Sequence, residues 1–324
     1  MSRSSEHELS STVKDCNSSL SIVKFSSRID WGLLVEGKTD EVFYKKVTDK
    51  LNTFHGSPES YENSDIAQIV ADKRRNGKNF FGIIDADYKS HIFSDDVKDY
   101  IQITDANSLE TMMIKYYGIY DFGQMIKKLI KSRYPGNKFN LKVKLQDSIV
   151  EKSVRWAYKI GILRNYNETR KYLSINKIKG ESNYYFDFLN LQKQSDNKVK
   201  ISFDLEKYLK ELTKNKKGGV TISDLTSEIE SKKFSEKEAY ILCQGHDIID
   251  FIEAIIKLYG VSIAKEKKDQ DKILNDRRGP SDKVTKMEYD ILDMYDISRF
   301  EKSPLYQWLE EIDKECKAKI QKQL

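Results

Sequence analysis

The sequence predicts an α/β domain built around a largely parallel sheet, followed by a mainly helical domain. Two features of the pattern predict this order, and a third concerns charge. Between residues 31 and 117, short apolar runs alternate with stretches of helical spacing. Past Tyr134-Pro-Gly-Asn137 the helical stretches dominate. Charge is also divided unevenly: residues 1–120 carry 15 basic and 19 acidic groups, 121–217 carry 23 and 10, and 218–324 carry 18 and 22. A basic middle between two mildly acidic flanks suggests a surface for a polyanion beside a region that needs carboxylates.

Residues 1–27 contain ten serines and few apolar groups, so this head is expected to be disordered or a short helix. The apolar run Trp31-Gly-Leu-Leu-Val35 reads as a strand, and residues 40–51 place Val42, Phe43, Val47 and Leu51 at helical spacing. A second helix is expected over 66–75, a buried strand over 80–84, a third strand over 100–103 and a helix over 107–117. Strand and helix taking turns is the pattern of a sheet with parallel strands. Helices are then expected over 148–163, 205–214, 225–232, 247–259, 287–295 and 305–319, with strand signals at 184–191 and 199–203. The polar tract 265–286 reads as a loop. These readings divide the chain into a head (1–27), an α/β domain (28–135) and a helical domain (136–324).

Composition excludes several classes. A length of 324 residues that are 39% hydrophobic supports a globular protein of about two domains. No apolar run approaches the roughly 20 residues of a membrane helix, and no signal-peptide stretch opens the chain, so a cytoplasmic address is expected. Cys16, Cys243 and Cys316 are isolated, which argues against a disulfide framework and a thiolate zinc site. With only four histidines, a bound metal would be held by carboxylates, which favours Mg²⁺ or Mn²⁺.

The segment Gly32-Leu-Leu-Val-Glu-Gly-Lys-Thr39 fits the G-x-x-x-x-G-K-[ST] pattern of a phosphate-binding loop, and Phe80-Phe-Gly-Ile-Ile-Asp85 passes for its acidic partner strand. A P-loop ATPase or kinase is therefore one reading. Its loop, however, must wrap backbone N–H groups around phosphates, whereas Leu33, Leu34 and Val35 favour a buried strand. On that second reading Glu36 emerges at the strand's carboxyl end, Gly37 turns the chain and Asp40 opens a helix. Ligands of open α/β sheets bind at such strand ends. Asp85 and Asp87 follow the next buried strand and, at i and i+2, are expected on one face. Glu110, in Asp105-Ala-Asn-Ser-Leu-Glu110, falls just after the third strand. Several acids offered to one crevice call for a divalent cation.

The pairing of strand-Glu36-Gly37 with strand-Asp85-x-Asp87 resembles the Rossmann-like Toprim domain of topoisomerases, primases and OLD-family nucleases. Val35-Glu-Gly-Lys-Thr-Asp40, Ile83-Ile-Asp-Ala-Asp-Tyr88 and Asp105-Ala-Asn-Ser-Leu-Glu110 together resemble more particularly the Toprim effector of PARIS-type anti-phage systems. Cys243-Gln-Gly-His-Asp247 is similar to a segment late in that family. The resemblance implies a metal-dependent endonuclease with Glu36 as ligand and proton shuttle, and Asp40, Asp85, Asp87 and Glu110 as further ligands. Lys38 and Lys89 would face phosphate, and His246 would touch substrate. It also implies an abortive-infection effector that cleaves tRNA, acts as a homodimer and is held by an ABC-type ATPase. A DNA-cleaving OLD-like nuclease and a non-catalytic Toprim module are the alternatives.

Residues 121–217 mix cations, among them Arg155, Arg164, Arg170 and Lys171, with Trp156, Tyr158, Tyr166 and Tyr185. Basic groups hold phosphates and exposed rings stack on unpaired bases, so nucleic acid is the expected partner, RNA ahead of DNA.

Overall fold

A computed structural model describes residues 29–49, 51–55, 63–87, 93–95, 97–133, 149–170, 173, 185–193, 199–214, 219–263, 266–268, 270–271, 278–281 and 284–323. The expected head, Lys89 and Lys171 lie outside these residues. The chain forms two compact units. The first gathers the described residues up to Ala86, those within 90–105 and those from Asp296 onward; the second holds Asp87 and the described residues of 106–295. This division differs from the boundary expected at 135. A helix ends at Arg133, and the residues from Asp296 onward belong to the first unit.

The first unit is an α/β layer structure. Strands β1 (Trp31–Val35), β2 (Asn52–His55), β3 (Asn79–Ile84) and β4 (Ile101–Ile103) form one sheet of order β2-β1-β3-β4. Every pairing is parallel, with Leu33 beside Thr53 and Phe81, and Ile83 beside Gln102. Helix α1 (Lys38–Val47) links β1 to β2, and α2 (Asn63–Arg75) links β2 to β3. Because β1 is covered on both faces, it reads as an unbroken apolar run, with Leu33, Leu34 and Val35 wholly buried. Leu34, Phe80 and Ile84 pack with Ile66, Ile69 and Val70 of α2 in one core cluster. On alternate positions, Phe81 meets Trp308 edge to face at 5.9 Å, while Phe43 of α1 meets Phe300 at 5.2 Å. Trp308 belongs to α11 (Pro304–Gln323), whose buried stripe of Leu305, Leu309, Ile312 and Cys316 has the spacing of a core-facing helix.

The second unit is mainly helical. It contains α3 (Leu109–Tyr117), α4 (Ile119–Arg133), α5 (Ile149–Arg170), α6 (Leu205–Thr213), α7 (Ile222–Glu230), α8 (Glu236–Leu242), α9 (Gly245–Ile263) and α10 (Lys286–Met294), with an antiparallel pair β5 (Leu189–Lys193) and β6 (Val199–Phe203). The centre is α9, apolar around most of its circumference: Ile248, Ile249, Phe251, Ile252, Ile255 and Ile256 are all buried. Tyr185 stacks on Phe251 at 3.9 Å and Trp156 meets the same ring at 5.5 Å. Within the tract expected as a loop, β7 (Arg278–Ser281) pairs antiparallel with β8 (Val284–Thr285). No helix among the described residues is long and apolar enough to cross a membrane.

Candidate metal centre

Residues 32–39 run as buried strand, short turn and helix, and this has a direct chemical consequence. The three residues that a phosphate-binding loop would use to wrap an anion are instead in the centre of the sheet, and Gly32 is needed because a Cβ there would overlap the Phe80 ring. Residues 33–35 therefore offer no loop backbone to a phosphate. Glu36 leaves β1 half-buried, and its Oε1 accepts a hydrogen bond from the Asp85 N–H at 2.8 Å. Asp85 follows the end of β3, the neighbouring strand. The chain passes from β1 outward to β2 and returns to β3 on the opposite side, so Glu36 and Asp85 stand at the carboxyl ends of the strands where the order reverses. Such switch points are where open α/β sheets bind ligands.

Asp40 belongs to the same unit but has a local task. In the first turn of α1, buried, it reaches back to accept the Gly37 N–H at 2.7 Å, closing the helix start. Lys38, the first residue of α1, is exposed. Asp87 departs from the expected alternation with Asp85. The strand ends at Ile84, and Asp87 adopts a left-handed φ of 45°, so the two-residue period of a strand does not govern where its carboxylate goes.

In the second unit, Glu110, His246 and Glu288 come together. Each lies in the first turn of a helix, α3, α9 and α10 respectively, and one ligand atom from each lies within 4.8 Å of the others. His246 Nδ1 is 2.6 Å from Glu288 Oε1 and 3.9 Å from Glu110 Oε1. Both carboxylates are buried, at 5% and 4% exposure, while the imidazole is half exposed. Hydrogen bonds fix this arrangement. Ser108 Oγ donates to Glu110 Oε2 at 3.0 Å and accepts the Gly245 N–H at 3.0 Å. Thr111 Oγ1 donates to the Cys243 carbonyl, and Asn107 bonds to the carbonyls of Tyr240 and Ile241. Gly245 allows the close approach, since a Cβ would lie 2.5 Å from Glu110 Oε2 and 2.6 Å from Ser108 Oγ.

Beneath this cluster, Asp247 is wholly buried. Arg164 forks onto it through both terminal nitrogens, Nη2 at 3.0 Å from Oδ1, and the Tyr185 hydroxyl donates to Oδ1 at 2.7 Å. Burial, then the charge of Asp247, pushes the Tyr185 hydroxyl far above its usual pKa, so it remains a donor. Burial likewise raises the Cys243 thiol well above its ordinary value, with Asp247 adding to the effect. Cys243 is therefore a buried thiol.

Arg164 was expected on the nucleic-acid surface and is instead in the core. Nine residues, or two and a half helical turns, separate it from Arg155 on α5, so the two project from opposite faces. Arg155 and Arg170 are exposed, over the rings of Phe234 at 4.2 Å and Tyr166 at 4.0 Å. Of the rings set beside those cations, Tyr158 and Tyr185 are core residues. Glu288 escaped the sequence reading because it lies at the start of a helix beside a polar tract, with no motif to mark it. Comparison with family models, curated proteins and solved structures finds no match for the chain.

Proposed function

We propose that the chain is a metal-dependent phosphodiesterase of the Toprim type that cleaves nucleic acid, with RNA, and tRNA within that class, as its substrate. The observation that carries the reading is the pair Glu36 and Asp85 at the carboxyl ends of adjacent parallel strands flanking the switch point. The donor set is all oxygen there, and it suits Mg²⁺ or Mn²⁺. Glu36 and Asp85 would hold the ion, with Asp40 of the same unit as the further ligand that the sequence motifs imply. Such an ion activates water and stabilises charge on a phosphate and its leaving oxygen.

The chain's own residues supply orientation and grip. The Asp85 N–H fixes the Glu36 carboxylate, so the acid is placed before any ligand arrives. Lys38, exposed on the first turn of α1, is available to a phosphate oxygen. Arg155 and Arg170 on α5 supply exposed cations for the backbone of the substrate. A role as a toxic anti-phage effector, dimeric when active and restrained by an ABC-type ATPase, is the biological form of this proposal and rests on the sequence motifs.

The test is incubation with total tRNA and with plasmid DNA in Mg²⁺ or Mn²⁺, for the natural chain and for Glu36→Gln, Asp85→Asn and Lys38→Ala, with ATP hydrolysis followed in parallel. Cleavage of tRNA that falls by about two orders of magnitude or more in Glu36→Gln is the expected result. Undiminished cleavage in that variant, or ATP turnover dependent on Lys38, overturns the proposal. Binding without cleavage would make the chain a non-catalytic module.

A further inference from the structure

We propose that Glu110, His246 and Glu288 form a mixed nitrogen–oxygen site for one first-row transition-metal ion, with Mn²⁺ as the ion that reports it. The site goes beyond the phosphodiesterase reading and does not depend on it. Two carboxylates that are almost entirely buried face a single imidazole nitrogen. Burying like charges together is unfavourable unless a cation compensates them. Glu110 Oε2 is occupied by the Ser108 hydroxyl, but its Oε1 accepts no hydrogen bond among the described residues and points to the same Nδ1 that Glu288 meets.

The distances fit an ion. Metal–nitrogen and metal–oxygen bonds of about 2.0–2.2 Å place neighbouring ligand atoms roughly 3.0–3.5 Å apart. The observed separations of 2.6 Å and 3.9 Å bracket that range, so small side-chain rotations open one contact and close the other. The backbone is set for it. The first turn of α3 is tied through Ser108 to Gly245, and the residue after His246 is the buried Asp247, clamped by Arg164 and Tyr185. The His246 side chain is half exposed, so the group can be reached from solvent.

Donor chemistry selects the ion class. Imidazole with carboxylates suits Mn²⁺ and the later first-row metals, while Mg²⁺ prefers oxygen and retains its waters. This donor set differs in kind from the carboxylates that follow β1 and β3.

The experiment uses the full chain, stripped of metal and titrated with Mn²⁺, with free ion read by continuous-wave EPR and nitrogen ligation by pulsed EPR. The expected result is a bound Mn²⁺ with ¹⁴N coupling, not displaced by a tenfold excess of Mg²⁺. In His246→Gln, whose side chain is half exposed and whose fold is checked by circular dichroism, the coupling disappears and affinity falls at least about tenfold. Glu288→Gln should lower affinity similarly. Absence of nitrogen-coupled Mn²⁺, coupling that persists in His246→Gln, or equal competition by Mg²⁺ would each overturn the site. Nitrogen-coupled Mn²⁺ in a chain that cuts no nucleic acid would uphold this site and refute the phosphodiesterase; cleavage lost in Glu36→Gln without such an ion would do the reverse.

Discussion

Arg164→Met is the most informative single substitution for stability, because it keeps the length of the side chain while removing its charge. Asp247, with no exposed surface, receives the forked guanidinium and the Tyr185 hydroxyl. Without the arginine, a wholly buried carboxylate keeps one hydrogen bond from Tyr185 and loses its counter-charge. Breaking a buried pair in this way costs about 3–5 kcal/mol, against a typical total of about 5–15 kcal/mol. Tyr185→Phe should cost less, about 1.5–3 kcal/mol for a hydrogen bond to a charged acceptor, since the ring keeps its stack on Phe251. The decisive comparison is the double variant Arg164→Met with Asp247→Leu. Removing both charges leaves no orphan, so much of the loss should return, with a coupling of about 2 kcal/mol or more. Urea unfolding at neutral pH measures each value. A loss below about 1 kcal/mol for Arg164→Met, or a double variant that costs the sum of the singles, would refute the buried pair and return Arg164 to the surface.

Two further outcomes are expected. Gly161→Ala on α5 should destabilise by at least about 1 kcal/mol, because the added Cβ would overlap the Leu242 carbonyl oxygen and a backbone group cannot swing aside; the helix-propensity gain of about 1 kcal/mol is smaller than that clash, and a raised melting temperature would disprove the contact. Glu41 is partly buried, which favours its neutral form, but hydrogen bonds and charge from His55 and Lys45 outweigh this and hold its carboxyl down at about 2. A depressed folded-state pKa gives stability that is present above the ordinary value of 4.5 and lost as pH falls towards 2, so Glu41→Gln should be less stable than the natural chain above pH 4.5 and should converge with it near pH 2. Equal acid profiles in thermal unfolding would contradict that assignment.

Much of the sheet was legible because β1 and β3, buried strands, leave continuous apolar runs; β1, β3 and the short edge strand β4 lie within a residue of their expected places. Strand β2 was not, since an edge strand reading Asn-Thr-Phe-His has no such run. Helix α4 carries Phe122, Met125, Ile126, Leu129 and Ile130 on one buried face, interleaved in the sequence with Lys127, Lys128, Lys131 and Arg133, and no helix was expected there. Glu36 and Asp85 were found from their place after apolar runs. The Glu110–His246–Glu288 group was only partly visible, because helix starts separated by 136 and 42 positions meet through tertiary packing that no local spacing records. Arg164 shows the opposite error: counting charge along a helix ignores its faces.

The return of α11 to the sheet of the first unit also governs how the chain can be made and cut. A fragment ending at residue 135 would contain all four strands yet lack Trp308 over Phe81 and Phe300 over Phe43. Its sheet would keep α2 on one face and only α1 on the other, with the Phe81 and Phe43 rings stripped of those partners. During synthesis the same holds: the ribosome must make residues 106–295 before the closing helix exists. For that interval the partly covered sheet is a client for chaperones, and the first unit to be started becomes one of the last to be sealed.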